Sequence, residues 1–375
     1  QEGVQPVMVT VQEVIRRLET WLPPDLAADW DNVGLQLGDP RQPVNRIVVA
    51  LDVDETAVEL AVERQAELLV VHHPLFFSPV RSLRWDQPGG RRVQRLAAAG
   101  VAVYAAHTNL DVVPGGVSDA LAAELGLEQV QVLAVTEAEA LYKLVVFVPH
   151  GYEDALRDAL AAAGAGWIGN YSHCTFQASG QGTFLPREGT NPFIGEQGKL
   201  ERVDEYRLET IVPARRLHQA LQAMLGAHPY EEPAYDIYRL ENQGESRGFG
   251  RIGRLAHPVS LGDLASRVRE RLGVSTVRVL GDLQREIRTV AVCGGAGADY
   301  IRLAADKGAD AYVTGDIKYH QAQQAADLDL ALIDAGHGAT ELAGVRALAR
   351  YLEKSLPAEI TILVSTGYGP QWQVL

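Results

Sequence analysis

The chain has 375 residues, 47% of them hydrophobic and 22% charged, a globular composition long enough for two or three domains. Its net charge of -14 argues against broad attraction to nucleic acid or an anionic membrane, since both need a positive surface field. No apolar run approaches the ~20 residues that cross a bilayer, no basic-then-apolar leader is evident, and Cys174 and Cys293 form neither a CxxC pair nor a disulfide framework; the expectation is a soluble cytoplasmic protein whose thiols are buried small hydrophobes.

Residues 1–7 precede Met8 and carry no pattern, so they are treated as an upstream extension outside the fold. From there β-type apolar runs alternate with helical ones: "VQEVIRRLETWL" as helix, "RIVVALDV" as strand, "TAVELAVERQ" as helix and "LLVVHHP" as strand. "RRVQRLAAAG" follows as helix, "VAVYAAHTNLD" as strand and "VSDALAAELG" as helix. The strands are apolar on both faces, which predicts a parallel sheet covered by helices on each side. The rhythm returns in "TVAVCGG", "YIRLAADKG", "DAYVTGD", "LALIDAGH", "ELAGVRALARYLEK" and "EITILVST", so the two stretches are expected to be halves of one α/β domain.

Between them the composition shifts to aromatic residues, glycine and turn formers. "KLVVFVP", "YEDALRDALAAAG", "HCTFQASG", "EYRLETIVP", "ARRLHQALQAML" and "AYDIYRLE" predict strand, helix, strand, strand, helix, strand. That order is the split βαβ pattern of a ferredoxin-like α+β domain, entered near Thr136 and left through "GESRGFGRIG". The expected division is therefore 8–135 and 251–375 for a discontinuous parent, with 136–250 inserted.

Open α/β sheets bind ligands beyond the carboxyl ends of their strands. His72 and His73 end one apolar strand, His107 and Asp111 another, and Asp334, His337 and Glu341 follow a third, all at the same rim. Adjacent residues of a strand project to opposite faces, so His72 and His73 do not easily chelate one ion, but at a curling strand end they suit two. Glu341, in the first turn of a helix after the glycine-flanked His337, has two oxygens with which to bridge metals about 3.5–4 Å apart. Each residue also has a plainer reading: a hydrogen-bonded core histidine, a turn or cap aspartate for Asp111, a glutamate favoured by a helix N-terminus for Glu341.

Other polar groups divide in the same way. Lys318 and His320 in "GDIKYH" suit phosphate binding and proton transfer, with Asp316 alternatively a helix cap. Trp30 is either a cavity wall or ordinary core, with Asp31 and Asn32 forming a turn. In the insert, His228, Tyr230, Glu231 and Glu232 fall together in "HPYEEPAYD", which a turn into an edge strand explains without a metal. His173 and Cys174 adjoin within a strand and do not face one ion.

"WDNVGLQLGDP", "VVHHPLFF", "AAHTNLDVVPGGVSDALA", "TGDIKYHQA" and "DAGHGATE" resemble, in order, the signature blocks of the Nif3-like proteins, also called type 2 homologues of GTP cyclohydrolase I. "GNYSHCTF" and "HPYEEPAYDIY" are similar to the CutA- or PII-like insert of longer bacterial members. The resemblance implies a dinuclear centre of two divalent ions per chain, zinc, iron, manganese or nickel. Its ligands would be His72 and His337 on one ion, His73 and Asp111 on the other, and Glu341 between them. His107 would orient a ligand or move a proton. The implied activity is a metal-dependent hydrolase, with GTP cyclohydrolase chemistry on a small nucleotide the named form. A phosphoesterase or nuclease, and a non-enzymatic metal-binding regulator or chaperone, are the rivals. A homohexamer, a trimer of dimers, is the implied assembly; no membrane association is expected, and nucleic acid is not an expected partner.

Overall fold

The computed structural model describes residues 8–367 and 369; the upstream extension proposed for residues 1–7 lies outside them. Two compact units emerge, one formed by the described residues up to Thr136 and from Arg247 onward, the other by Glu137–Ser246.

The elements follow in chain order. First come α1 (Val11–Trp21), β1 (Gly34–Leu37), β2 (Arg46–Ala50), α2 (Glu55–Glu63), β3 (Leu68–Val71), α3 (Pro88–Ala98), β4 (Ala102–Ala105), α4 (Thr108–Val112), α5 (Val117–Glu124) and β5 (Leu127–Pro149). The inserted stretch holds α6 (Glu153–Ala162), β6 (Thr175–Phe184), β7 (Glu201–Pro213), α7 (Leu217–Ala227) and the start of β8 (Tyr235–Ser260). After it come α8 (Leu261–Leu272), β9 (Arg278–Leu280), β10 (Glu286–Val292), α9 (Ile301–Asp306), β11 (Ala311–Thr314), α10 (Tyr319–Asp327), β12 (Ala331–Asp334), α11 (His337–Ser355) and β13 (Thr361–Val364).

Local chemistry explains most of these. In α1 the buried Val11, Val14, Ile15 and Leu18 recur at helical spacing behind a Thr10 cap whose hydroxyl accepts from the Glu13 amide. β3, β4, β11 and β12 are buried at every residue, as strands covered on both faces must be.

The parent is built on two sheets rather than the single one expected. One has the order β1-β4-β3-β2-β13, parallel except for β1. The other runs β5-β8-β10-β11-β12-β9, with β10, β11 and β12 parallel and β8 and β9 antiparallel beside them. Apolar runs reveal that strands are buried but not which strand each pairs with, and the last strand, β13, joins β2 near the other end of the chain. Helices α5 and α11 serve both cores: Val117, Leu342, Val345 and Leu352 pack with the first sheet, Leu121, Leu125 and Ala339 with the second. Every residue from Ala339 to Val345 is buried, as a helix between two layers requires.

In the inserted unit the strand order β6-β7-β5-β8, with α6 and α7, is the ferredoxin-like α+β arrangement. Among the described residues, no helix is long and apolar enough to cross a membrane.

Candidate metal centre

His72 and His73 follow directly on β3 and still pair with the neighbouring strand end, through the Ala50 and Leu51 carbonyls at 3.2 and 2.8 Å. Their rings then diverge in partner. His72 Nδ1–H donates to the Ala106 carbonyl at 2.9 Å, and His73 Nδ1 lies 2.7 Å from Asp52 Oδ1. Two further histidines are oriented by carboxylates: His107 Nδ1 is 2.8 Å from Asp31 Oδ1, and His337 Nδ1, at the start of α11, is 2.8 Å from Asp316 Oδ2. An acceptor on Nδ1 fixes the ring orientation and leaves Nε2 as the nitrogen a metal can take once it is deprotonated, the arrangement that metal-binding imidazoles use.

The Nε2 atoms surround one buried carboxylate. His73 Nε2 is 3.1 Å from Glu341 Oε2, His337 Nε2 3.3 Å from Oε1, and His72 Nε2 3.6 Å from both Oε1 and Asp111 Oδ1. His73, His337 and Glu341 form one group whose ligand atoms all lie within 4.8 Å, and His72, His73 and His107 form another. His72 Nε2 is buried without a hydrogen-bond partner, and Glu341 Oε2 is buried with His73 Nε2 as its contact. A buried polar atom left unpaired is costly, so donors converging on such atoms fit a cation.

Charge reinforces the geometry. Burial favours neutral Glu341, yet contacts with His337, His72 and His73 outweigh it and hold the carboxyl well below its usual range. Burial likewise opposes a charged His73, but hydrogen bonds to Asp52 and Glu341 push it up to about 10; the Glu341 contact, against burial, raises His337 to about 9. Asp111 is shifted upward, chiefly by burial. Asp31 is held well below the usual carboxylate range despite its burial, by His107 and Thr108.

A model of the family described as Duf34/NIF3 (NGG1p interacting factor 3) matches residues 9–368. The chain belongs to the Duf34/NIF3 family. It is 46% identical over 357 residues to the GTP cyclohydrolase 1 type 2 homolog of Halalkalibacterium halodurans, covering 95% of this chain and 96% of that one. The Bacillus subtilis protein of the same name is 44% identical, with 89% and 90% covered. Among solved structures, a Bacillus cereus protein related to NIF3 superposes with a TM-score of 0.87 at 42% identity, over 98% of this chain and all of that one (100%). Staphylococcus aureus protein SA1388 gives a TM-score of 0.74 at 28% identity, over 98% and 99%.

The NIF3 chain departs from several expectations. His72 Nε2 lies 3.6 Å from Asp111 Oδ1, whereas His73 groups with His337 and Glu341. The expected strand through "HTNLD" ends at Ala105, and Asp111 lies on the short α4, because the Asp31 carboxylate accepts from the Thr108 amide and so caps that helix from a distant loop. Asp31 is thus more than a turn residue. Trp30 is no core residue: it is 62% exposed, with its ring 5.7 Å from Phe77 and 6.0 Å from His107.

Asp316 does not cap α10, whose N-cap is Lys318, but holds His337. Lys318 and His320 are exposed and outside the cluster, His320 Nδ1 being engaged with Gln323 Oε1 at 3.0 Å. Asp334 is structural, accepting from the Ile317 and Gly336 amides and paired with Arg278. In the insert, His228 Nε2–H donates to the Phe147 carbonyl and Nδ1 accepts from the Tyr230 amide. Cys293 is buried as expected, but Cys174 is only partly so.

Asp52 escaped sequence reasoning. Its signal was the same as that of the histidines, a charged residue ending an apolar run, in "RIVVALDV".

Proposed function

We propose that this chain is a hydrolase dependent on two divalent ions, acting on a small nucleotide-like substrate. The observation that carries the reading is the convergence of four carboxylate- or carbonyl-oriented imidazoles near the buried Glu341 carboxylate, with His72 Nε2 buried and unpartnered. His73, His337 and Glu341 would hold one ion, and His72, Asp111 and Glu341 the other. Zinc, iron, manganese and nickel all suit such ligands. Ions bound there would supply an acidified water and a polarised substrate oxygen. His107, fixed through Nδ1 by Asp31, presents Nε2 toward His72 and His73 and is assigned the movement of a proton. The exposed rings of Trp30 and Phe77 beside His107 offer a stacking wall for a planar base. The names of the relatives support a cyclohydrolase-type reaction on a nucleotide, and the family resemblance a hexameric assembly in the cytoplasm.

One observation favours a phosphoester as the alternative substrate. A cavity of about 360 Å³ adjoins His73 and Asp52 and is lined by Arg84 and Arg92, side chains suited to a phosphate.

Elemental analysis of the refilled protein beside His73→Ala and Glu341→Gln tests the centre, followed by turnover assays with GTP and with nucleoside monophosphates. About two ions per chain, falling in both variants together with turnover, is the expected result. A refilled wild type without metal would overturn the proposal. Purine-ring opening identifies the cyclohydrolase and phosphate release the phosphoesterase.

A further inference from the structure

The insert carries a cavity that the metal centre does not use. On β6 the residues Ala178, Gly180 and Gly182 alternate and so share one face of the sheet. Their lack of bulk hollows that face into a cavity of about 750 Å³. Phe147, Phe184, Phe193 and Tyr230 wall it, with Tyr230 centred 5.8 Å from Phe184 and 6.4 Å from Phe193. A carboxylate lies within these apolar walls. Glu205, on β7 opposite Gly180, is only 7% exposed.

Gly182 leaves room for Glu205. A Cβ at residue 182 would stand 2.1 Å from Glu205 Oε2, so the absent side chain makes room for the carboxylate. Among the described residues Glu205 forms no salt bridge. Arg207, two residues along β7, is committed to Glu209 at 2.8 Å and lies over the Phe147 ring. The Tyr230 hydroxyl is buried beside Glu205 and is the neighbouring polar group that faces it. Glu231 and Glu232 also line the cavity, against Arg187 and Arg207, so its fixed charge is negative.

A buried carboxylate is stabilised by a cation with paired N–H donors, and aromatic walls favour a flat cationic ligand through stacking and cation–π attraction. We infer that this cavity is a binding site for a planar organic cation of the amidinium or guanidinium class, with Glu205 as its anchor and the Phe184, Phe193 and Tyr230 rings as its walls. The "HPYEEP" segment then has a ligand-binding role: its Tyr230 contributes the wall, while His228 fixes the turn through the Phe147 carbonyl and the Tyr230 amide.

Benzamidine and its neutral isostere benzamide distinguish charge recognition from apolar filling. Calorimetric titration of the full chain should find benzamidine bound at least tenfold more tightly than benzamide. Glu205→Gln should abolish that preference. Gly182→Ala keeps the charge but displaces the carboxylate, and should weaken benzamidine at least tenfold, with circular dichroism and metal content unchanged in both variants. Equal binding of the two probes, binding of neither, or undiminished benzamidine binding by Glu205→Gln would overturn the inference.

Discussion

Gly295 lies in the turn after β10 at φ +66°, and a Cβ there would stand 2.3 Å from Glu341 Oε1 and 3.3 Å from His337 Cε1. Its amide is fixed by Thr340 Oγ1 at 2.9 Å and its carbonyl accepts from Thr314 Oγ1 at 3.1 Å, so the loop cannot easily retreat. Gly295→Ala therefore combines left-handed backbone strain of about 1–2 kcal/mol with displacement of the Glu341 carboxylate. Metal content should fall by at least half on elemental analysis, and wild-type content would contradict the assignment of Glu341. Protonation gives a second test at this scale. His73 and His337, raised to about 10 and about 9, carry protons at pH 7 in the metal-free chain, and an ion must displace them. Metal uptake should therefore release at least one proton per chain, and affinity should climb from pH 7 to pH 9 and decline toward acid. Calorimetry in two buffers of different ionisation enthalpy measures this; proton uptake would contradict it.

Elements owe their ends to partners far away in the chain. The strand end at His72 and His73 was legible because two imidazoles interrupt four buried apolar residues, and the start of α11 because glycines flank His337. The α4 helix was not, since its cap is Asp31, 77 positions before Thr108, and no local pattern contains that bond. β1 was hidden for a related reason: "GLQL" is half-buried and gains its identity only by antiparallel pairing with β4. The return of the chain into β8 depends on another remote partner. Arg251, almost fully buried, donates from Nε and Nη2 to the two oxygens of Asp119 on α5 at 2.7 and 2.8 Å, and from Nη1 to the Gly248 and Gly250 carbonyls at 2.8 Å. Asp119→Ala leaves that guanidinium buried without its counter-ion and should cost about 3 kcal/mol, the lower end for a broken buried pair because Asp119 is partly exposed. Urea unfolding checks it, and a loss below about 1 kcal/mol would show that the pair is solvated.

At the scale of the whole molecule, the parent-and-insert plan was legible in composition and in the strand-helix order, whereas the two-sheet construction was not, because burial patterns are blind to pairing. That construction matters for the site. His72, His73 and Asp111 come from the first sheet and the elements beside it; His337 and Glu341 come from α11, which packs against both cores, and Asp316, which orients His337, follows β11 of the second sheet. Ions held by this set would fasten together parts of the parent unit that lie more than 200 positions apart. Binding to the folded state alone stabilises by RT ln(1 + [L]/Kd), about 2.7 kcal/mol at a hundredfold excess over Kd. For a unit of this size that corresponds to roughly 5–10 °C in Tm. The insert lends no residue to the cluster, so a chelator should lower the transition of the parent unit by that amount and leave the transition of the insert in place. Differential scanning calorimetry of the refilled and chelated full chain, with Glu341→Gln as a third sample, reads both transitions at once. A chelator shift that persists undiminished in Glu341→Gln would place the stabilising ions elsewhere, and the loss of the shift in that variant would tie the stability of the parent unit to this centre.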